Sequence, residues 1–215
     1  MIPAVRLLVI AKQPLPRRVK TRLCPPCTPV EAASLARAAL NDTLAAVAAT
    51  TVARRVVVFE GNASALPEGF DVIPQRGNSL DERLTAAFHD AGAPSLLIGM
   101  DTPQITPQLL GRAIAALECP DNDAVLGLTL DGGFWAIGLK EANEDVFLGI
   151  PMSTSEAGVA QRARLMSLGY RCSMLPVLRD VDFFTDACDV AAQIRTSDFA
   201  YELGRVWSRM ASRIA

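Results

Sequence analysis

Four short runs in this chain, VRLLVIA (5–11), RVVVF (55–59), SLLIG (95–99) and AVLGL (124–128), are apolar at nearly every position rather than at every second one. A strand with one wet face alternates, so strands of this kind must be covered on both faces. The segments between them carry helix signals. Thr28-Pro29-Val30-Glu31 reads as N-cap, first-turn proline and capping-box glutamate before an Ala/Leu-rich helix to residue 49. Ser79 and Glu82 repeat the S-x-x-E pattern before a helix to residue 91, and Thr106-Pro107 opens one to residue 118. Shorter strands are expected at 71–74, 134–139 and 171–175, with further helices at 156–168, 186–194 and 198–213. Strands and helices alternating over short connections predict an α/β fold of three layers, a mostly parallel sheet between two helical layers. The chain reads as one domain over residues 1–215, with no repeat or linker-like tract. In such sheets ligands collect beyond the carboxyl ends of the strands.

The bulk composition narrows the partners. A formal net charge of −2 gives no electrostatic reason to expect nucleic acid or a membrane surface, so a small molecule is the expected ligand. No apolar run reaches the roughly 18 to 20 residues that span a bilayer, and the opening MIPAVRLLVIAKQP lacks a cleavage-site pattern, so a cytoplasmic location is expected. Five cysteines, an odd number without an export signal, read as reduced thiols. Cys24 and Cys27 form a C-x-x-C, but a zinc site needs four ligands and the spacing supplies one pair. A redox role suits a dithiol near a helix N-terminus; packing of the first helix start is the simpler reading.

Four segments fall at strand ends. The loop after the first strand holds Lys12, Arg17, Arg18, Lys20 and Arg22 within eleven residues, a density suited to a di- or triphosphate. It contains no glycine, so it is neither a Walker loop nor a dinucleotide fingerprint. Asp101 in LLIGMDTP follows a strand end and is a hard-metal ligand; Mg²⁺ or Mn²⁺ would need a partner carboxylate. RDVDFF offers Asp180 and Asp182, of which one is expected to turn inward and the other away. In LDGGFWAIGL, either a plain hairpin or a pocket wall, Gly132 and Gly133 would let a ligand approach the backbone, with Asp131, Phe134 and Trp135 alongside. Gln75, Arg76 and Gly77 stand at another strand end, placed to meet a nucleobase, while Ser79 and Glu82 read as caps.

Taken in order, AKQPLPRRVKTRL, IGMDTPQIT, DGGFWAIGL, PMSTSE and LPVLRDVDFFTDA resemble the radical-SAM/selenodomain-associated transferase family, candidate glycosyltransferases of the GT-A, nucleotide-diphospho-sugar transferase, fold. More distantly, residues 19–47 resemble the opening of 2-phospholactate guanylyltransferase, a nucleotidylyltransferase on the same fold. The resemblance implies a metal-held nucleotide, with Lys20 and Arg22 on its phosphates and Asp101 with Asp182 on the ion. Lys12 and Arg18 of the same loop, and Gln75 and Gly77 at their strand end, are expected on the nucleotide beside them. The glycine turn and the PMSTSE segment are expected to give an acceptor pocket of Gly132, Gly133, Phe134, Trp135, Ser153 and Thr154. With no suitable histidine Asp131 is the candidate base, so that Asp101, Lys20 and Asp131 serve the chemistry. Arg17 stands where the family usually has glycine, and Met152 where tryptophan is common. The first expectation is glycosyl transfer from a nucleotide diphospho-sugar to a small-molecule acceptor. The alternatives are nucleotidylyl transfer with release of pyrophosphate, and a nucleotide-binding protein without turnover.

Overall fold

The computed structural model describes residues 3–214. Its elements run β1 (Arg6–Lys12), α1 (Pro29–Ala48), β2 (Arg54–Glu60), β3 (Asp71–Pro74), α2 (Leu80–Ala91), β4 (Ser95–Gly99), α3 (Pro107–Glu118), β5 (Ala124–Leu128), β6 (Phe134–Leu139), α4 (Ala157–Ser167), β7 (Cys172–Met174), α5 (Phe184–Gln193) and α6 (Asp198–Ile214). The seven strands form one sheet in the order β3-β2-β1-β4-β6-β5-β7. β6 runs antiparallel to β4 and β5; the remaining ladders are parallel. No helix among the described residues is long and apolar enough to cross a membrane.

The fully apolar strands sit where burial on two faces demands them. Leu7, Val9 and Ala11 of β1 pack into one hydrophobic cluster with Leu40 and Leu44 of α1 and Leu110 and Ile114 of α3. Leu8 points the other way, to Leu84 and Phe88 of α2 and Leu165 of α4. This alternation is the strand period of two, and each fully buried leucine or valine contributes about 1.5–3 kcal/mol of transfer free energy. The result is the three-layer arrangement expected from sequence. A third cluster lies outside the sheet, where Leu35 and Ala39 of α1 meet Val190 of α5 and Phe199 and Leu203 of α6.

Element boundaries shift slightly from the sequence pattern for identifiable reasons. β1 extends to Lys12 because the ladder to β2 continues as far as Lys12 against Glu60. α5 begins at Phe184 because the Asp186 carboxylate accepts a hydrogen bond from the Phe183 N–H and stabilises an earlier start. At α1 the expected capping box forms, with Glu31 accepting from the Thr28 N–H at 2.8 Å. At α2 it does not. The Ser79 hydroxyl turns to Asp81, and Glu82 accepts instead from the Asn78 N–H at 2.7 Å.

Candidate functional site

The carboxyl ends of β1 and β4, the β5–β6 hairpin and the segment from Asp180 to Phe183 that follows β7 open onto a crevice of about 680 Å³. Its polar lining includes Lys12, Arg22, Asp101, Asp131, Asp180 and Asp182, and its apolar wall includes Phe134, Trp135 and Met152. A smaller hollow of about 190 Å³ adjoins it, bordered by Lys12, Lys20, Arg22, Asp101 and Asp182.

Lys20 is the centre of this site. Its ammonium lies 3.0 Å from Asp101 Oδ2, 3.1 Å from Asp182 Oδ1 and 3.9 Å from Asp180 Oδ2, with the side chain only 9% exposed. Burial alone would lower its pKa, but the three carboxylates more than reverse that and hold it above the ordinary lysine value. Burial pushes the Asp180 carboxyl up to about 7; Lys20 opposes the shift, while Asp101, Asp182 and Asp131 add to it. Asp182 is also penalised by burial, yet Lys20 and Arg22 together hold it below its usual range. Arg22 reaches Asp182 Oδ2 at 2.7 Å and lies 5.8 Å from the centre of the Phe183 ring, within cation–π range. The carboxylates of Asp131, Asp180 and Asp182 all come within 4.8 Å of one another, close enough to share a divalent cation. Three carboxyl oxygens are the donor type a hard divalent cation takes, and a cation there would offset the burial and the anionic neighbours that keep Asp180 from ionising.

Local sequence explains the convergence. Val19 is buried against Ala33 and Ala36, and Leu23 is fully buried in the α1–α5–α6 cluster, so both flanks of Lys20 are anchored. Lys20 itself takes a left-handed backbone (φ 46°, ψ 41°) ahead of a short 3₁₀ turn, Thr21–Leu23. On the opposite wall, Val181 packs into the same cluster as Leu23 and its N–H donates to the Asp101 carbonyl at 3.1 Å. Gln104 Nε2 donates to the Arg179 carbonyl at 2.7 Å, closing the next rung. Asp180 and Asp182 therefore both face Lys20. The expectation that one would turn away is corrected: in extended backbone residues two apart share a face, and it is Val181 that points oppositely into the core. That period was the available signal for Asp180, which joins the cluster beside Asp182.

Other singled-out residues separate into two groups. Asp131, Gly133, Phe134, Trp135, Ser153 and Thr154 line the crevice with Lys12, Arg22 and Gln75. Arg17, Arg18, Gly77 and Gly132 do not. Gly132 has φ +93°, and a Cβ there would collide with the Ser155 carbonyl, so its lack of a side chain serves the packing of the hairpin against the start of α4. Gly77, at φ +118°, similarly makes room for Glu82. Gln75 lends its amide N–H groups to the carbonyls of Ala11 (2.8 Å) and Val58 (3.2 Å), which fixes the loop after β3. Trp135 is buried, with its indole N–H on the Pro176 carbonyl. Arg83 of α2 also lines the crevice, 2.7 Å from Glu60, a position no spacing rule would single out. Cys27 is buried in the α1 cluster and Cys24 packs against it, in keeping with a helix-start packing role.

Residues 36–154 match the model of the family described as "Uncharacterized protein conserved in bacteria (DUF2064)". No curated protein matches the chain by sequence. A crystal structure of a candidate nucleotide-diphospho-sugar transferase from Desulfovibrio desulfuricans G20 superposes with a TM-score of 0.87 at 25% identity, over 97% of each chain. Rv0371c from Mycobacterium tuberculosis H37Rv, complexed with manganese, superposes at 0.53 and 21% identity over 88% of this chain and 98% of that one. CMP:2-keto-3-deoxy-manno-octonic acid synthetase complexed with CTP superposes at 0.54 and 15% identity over 89% and 98%. The fold is thus that of the nucleotide-diphospho-sugar transferases, as the sequence resemblance implied, and the structural neighbours include both transferases and nucleotidyltransferases.

Proposed function

This chain belongs to the DUF2064 family, and from that premise we propose that it is a divalent-metal-assisted transferase acting on a nucleotide-activated donor, most directly a nucleotide diphospho-sugar. The observation that carries the reading is the meeting of Lys20 and Arg22 with Asp101, Asp180 and Asp182 at the carboxyl end of the sheet. Lys12, Lys20 and Arg22 bind the donor's diphosphate, the ammonium groups as point charges and the guanidinium as a fork. Asp182 and Asp180, with Asp101 beside them across Lys20, would hold Mg²⁺ or Mn²⁺ and leave Asp131 free as a base. The ion would supply charge compensation for the departing diphosphate. Asp131, on the exposed hairpin, takes the proton of the acceptor hydroxyl as its oxygen bonds to the anomeric carbon and the bond to the diphosphate oxygen breaks. Phe134, Trp135 and Met152 form the apolar wall that keeps water from competing with the acceptor, with the Ser153 and Thr154 hydroxyls beside them.

A second reading, nucleotidylyl transfer, is favoured by the position of the acids. A single Asp101 follows β4 and the D-x-D comes late, after β7. Here an acceptor phosphate or hydroxyl oxygen bonds to the α-phosphorus of a nucleoside triphosphate, the bond to the bridging oxygen breaks, and pyrophosphate leaves onto Lys20 and Arg22. Incubation with Mn²⁺ and a panel of nucleotide sugars and nucleoside triphosphates separates the two. Release of nucleoside diphosphate supports glycosyl transfer. Pyrophosphate supports the second reading. Nucleotide binding without either product, seen as a thermal shift, would leave a nucleotide-binding protein without turnover.

A further inference from the structure

The metal-assisted reading meets a conflict at the centre of the site. The carboxylates that would hold a divalent cation already hold a cation, the ammonium of Lys20, at 3.0 Å from Asp101, 3.1 Å from Asp182 and 3.9 Å from Asp180. A divalent ion on the same oxygens would sit within a few ångströms of that ammonium, in a site that is only 9% exposed at Lys20 and so weakly screened. The two cations therefore compete.

We propose that Lys20 is the built-in occupant of the cation site in the nucleotide-free protein, and that phosphate must draw it off before a divalent metal binds well. This rests on the metal-assisted reading above. The geometry supplies both halves of the exchange. Val19 and Leu23 are buried on either side, which fixes the Lys20 backbone and leaves the four-carbon stem as the moving part. The left-handed backbone, unfavourable for lysine, aims that stem at the acids and not at solvent, as strained residues do when their surroundings over-determine them. The 190 Å³ hollow beside the ammonium is bordered by three cations, Lys12, Lys20 and Arg22, and by Asp101 and Asp182, the acids that Lys20 now holds, so a phosphate seated there meets the cations while a metal on the acids removes their repulsion. A diphosphate seated there offers Lys20 oxygen acceptors in exchange for Asp101 and Asp182, and the freed carboxylates then become available to the metal. Arg22 also holds Asp182, at 2.7 Å, and the same diphosphate gives it a second partner. Metal and phosphate would thus bind with positive coupling, and neither well alone.

The test is a Mn²⁺ titration, read by the electron paramagnetic resonance signal of free Mn²⁺, on the parent and on Lys20→Met, first without and then with inorganic pyrophosphate. A variant that loses its buried ammonium should bind Mn²⁺ alone about tenfold more tightly than the parent, and should gain less from pyrophosphate. Equal or weaker binding by Lys20→Met overturns the proposal. Lys20→Gln, with folding of both variants checked by circular dichroism, provides the same comparison with a polar stem. The parent alone provides another. Mn²⁺ without pyrophosphate should leave its melting temperature unchanged, and a rise as large as that with pyrophosphate also overturns the proposal. Failure is traceable to its source: tight Mn²⁺ binding by the parent alone overturns only the competition by Lys20, whereas absence of Mn²⁺ binding in every protein, with or without pyrophosphate, overturns the metal-assisted reading together with it.

Discussion

Arg17 and Lys20 lie three residues apart in the same loop and both adopt positive φ, 66° and 46°. Their surroundings differ. Arg17 is exposed and outside the crevice, whereas the Lys20 side chain is largely enclosed among three carboxylates. Left-handed backbone costs an ordinary residue about 1–2 kcal/mol. At Lys20 that cost is offset by ion pairs that only this backbone brings within reach. At Arg17 no ion pair of that kind is found among the described residues. The same dihedral therefore has two meanings, and the partners of the side chain distinguish a site residue from a turn.

The sharpest way to break this contrast is to remove a partner of Lys20. Asp101→Ala should leave the protein folded, because Asp101 is a part-exposed loop residue, but should lower product formation by about 10²–10³-fold, the scale associated with losing one preorganised electrostatic group. Release of nucleoside diphosphate from the donor identified by the panel is the measurement. Activity within a few-fold of the parent would show that the acids around Lys20 have no part in turnover, and Lys20 would join Arg17 as a merely structural residue.

Next in size is the effect on stability of exchanging Lys20 itself. Lys20→Gly relieves the backbone but leaves Asp101, Asp180 and Asp182 crowded without their shared ammonium. Breaking a buried pair costs about 3–5 kcal/mol, of which the relieved backbone returns about 1–2, so metal-free urea unfolding should show a net loss of about 1–4 kcal/mol. A gain in stability would mean that the three ion pairs do not compensate the strain. Donor affinity should also fall by about tenfold or more, since a charge-assisted hydrogen bond is worth about 1.5–3 kcal/mol, measurable by calorimetric titration.

Why Lys20 could be read from sequence while its setting could not is a matter of range. The strands and the two proline-led helix starts are local: apolar runs such as 5–11 and the Thr28–Glu31 box carry their own signals, and the fold followed from their alternation. The basic loop and Asp101 were legible because both directly follow such strands. The period of two puts Asp180 and Asp182 on one face, against the expectation that they would part, and Asp180 joins Asp182 because Val181 packs beside Leu23. That packing brings together segments some 160 residues apart in sequence, Lys20 and Asp182 among them, which no spacing rule encodes. The glycines mislead for a related reason. Gly132 looks like room for a ligand, yet the space is taken by the Ser155 carbonyl, a neighbour supplied by the tertiary fold alone.

The smallest effect sharpens the comparison from the other side. Arg17→Gly should stabilise the protein, because the left-handed turn at φ 66° is retained while the Cβ clash that makes it unfavourable is lost. Glycine also widens the unfolded ensemble, which takes back about 0.4–1 of the roughly 1–2 kcal/mol relieved, so the expected net gain is at most about 1.6 kcal/mol. For a chain of this size that corresponds to a rise of up to about 6 °C in melting temperature. Transfer activity should be unchanged, since Arg17 borders neither the crevice nor the smaller hollow. A loss of activity with the stability gain intact would place Arg17 among the phosphate ligands despite its position. A loss of stability would show that its side chain makes a compensating contact, and the distinction drawn between the two left-handed residues would fail.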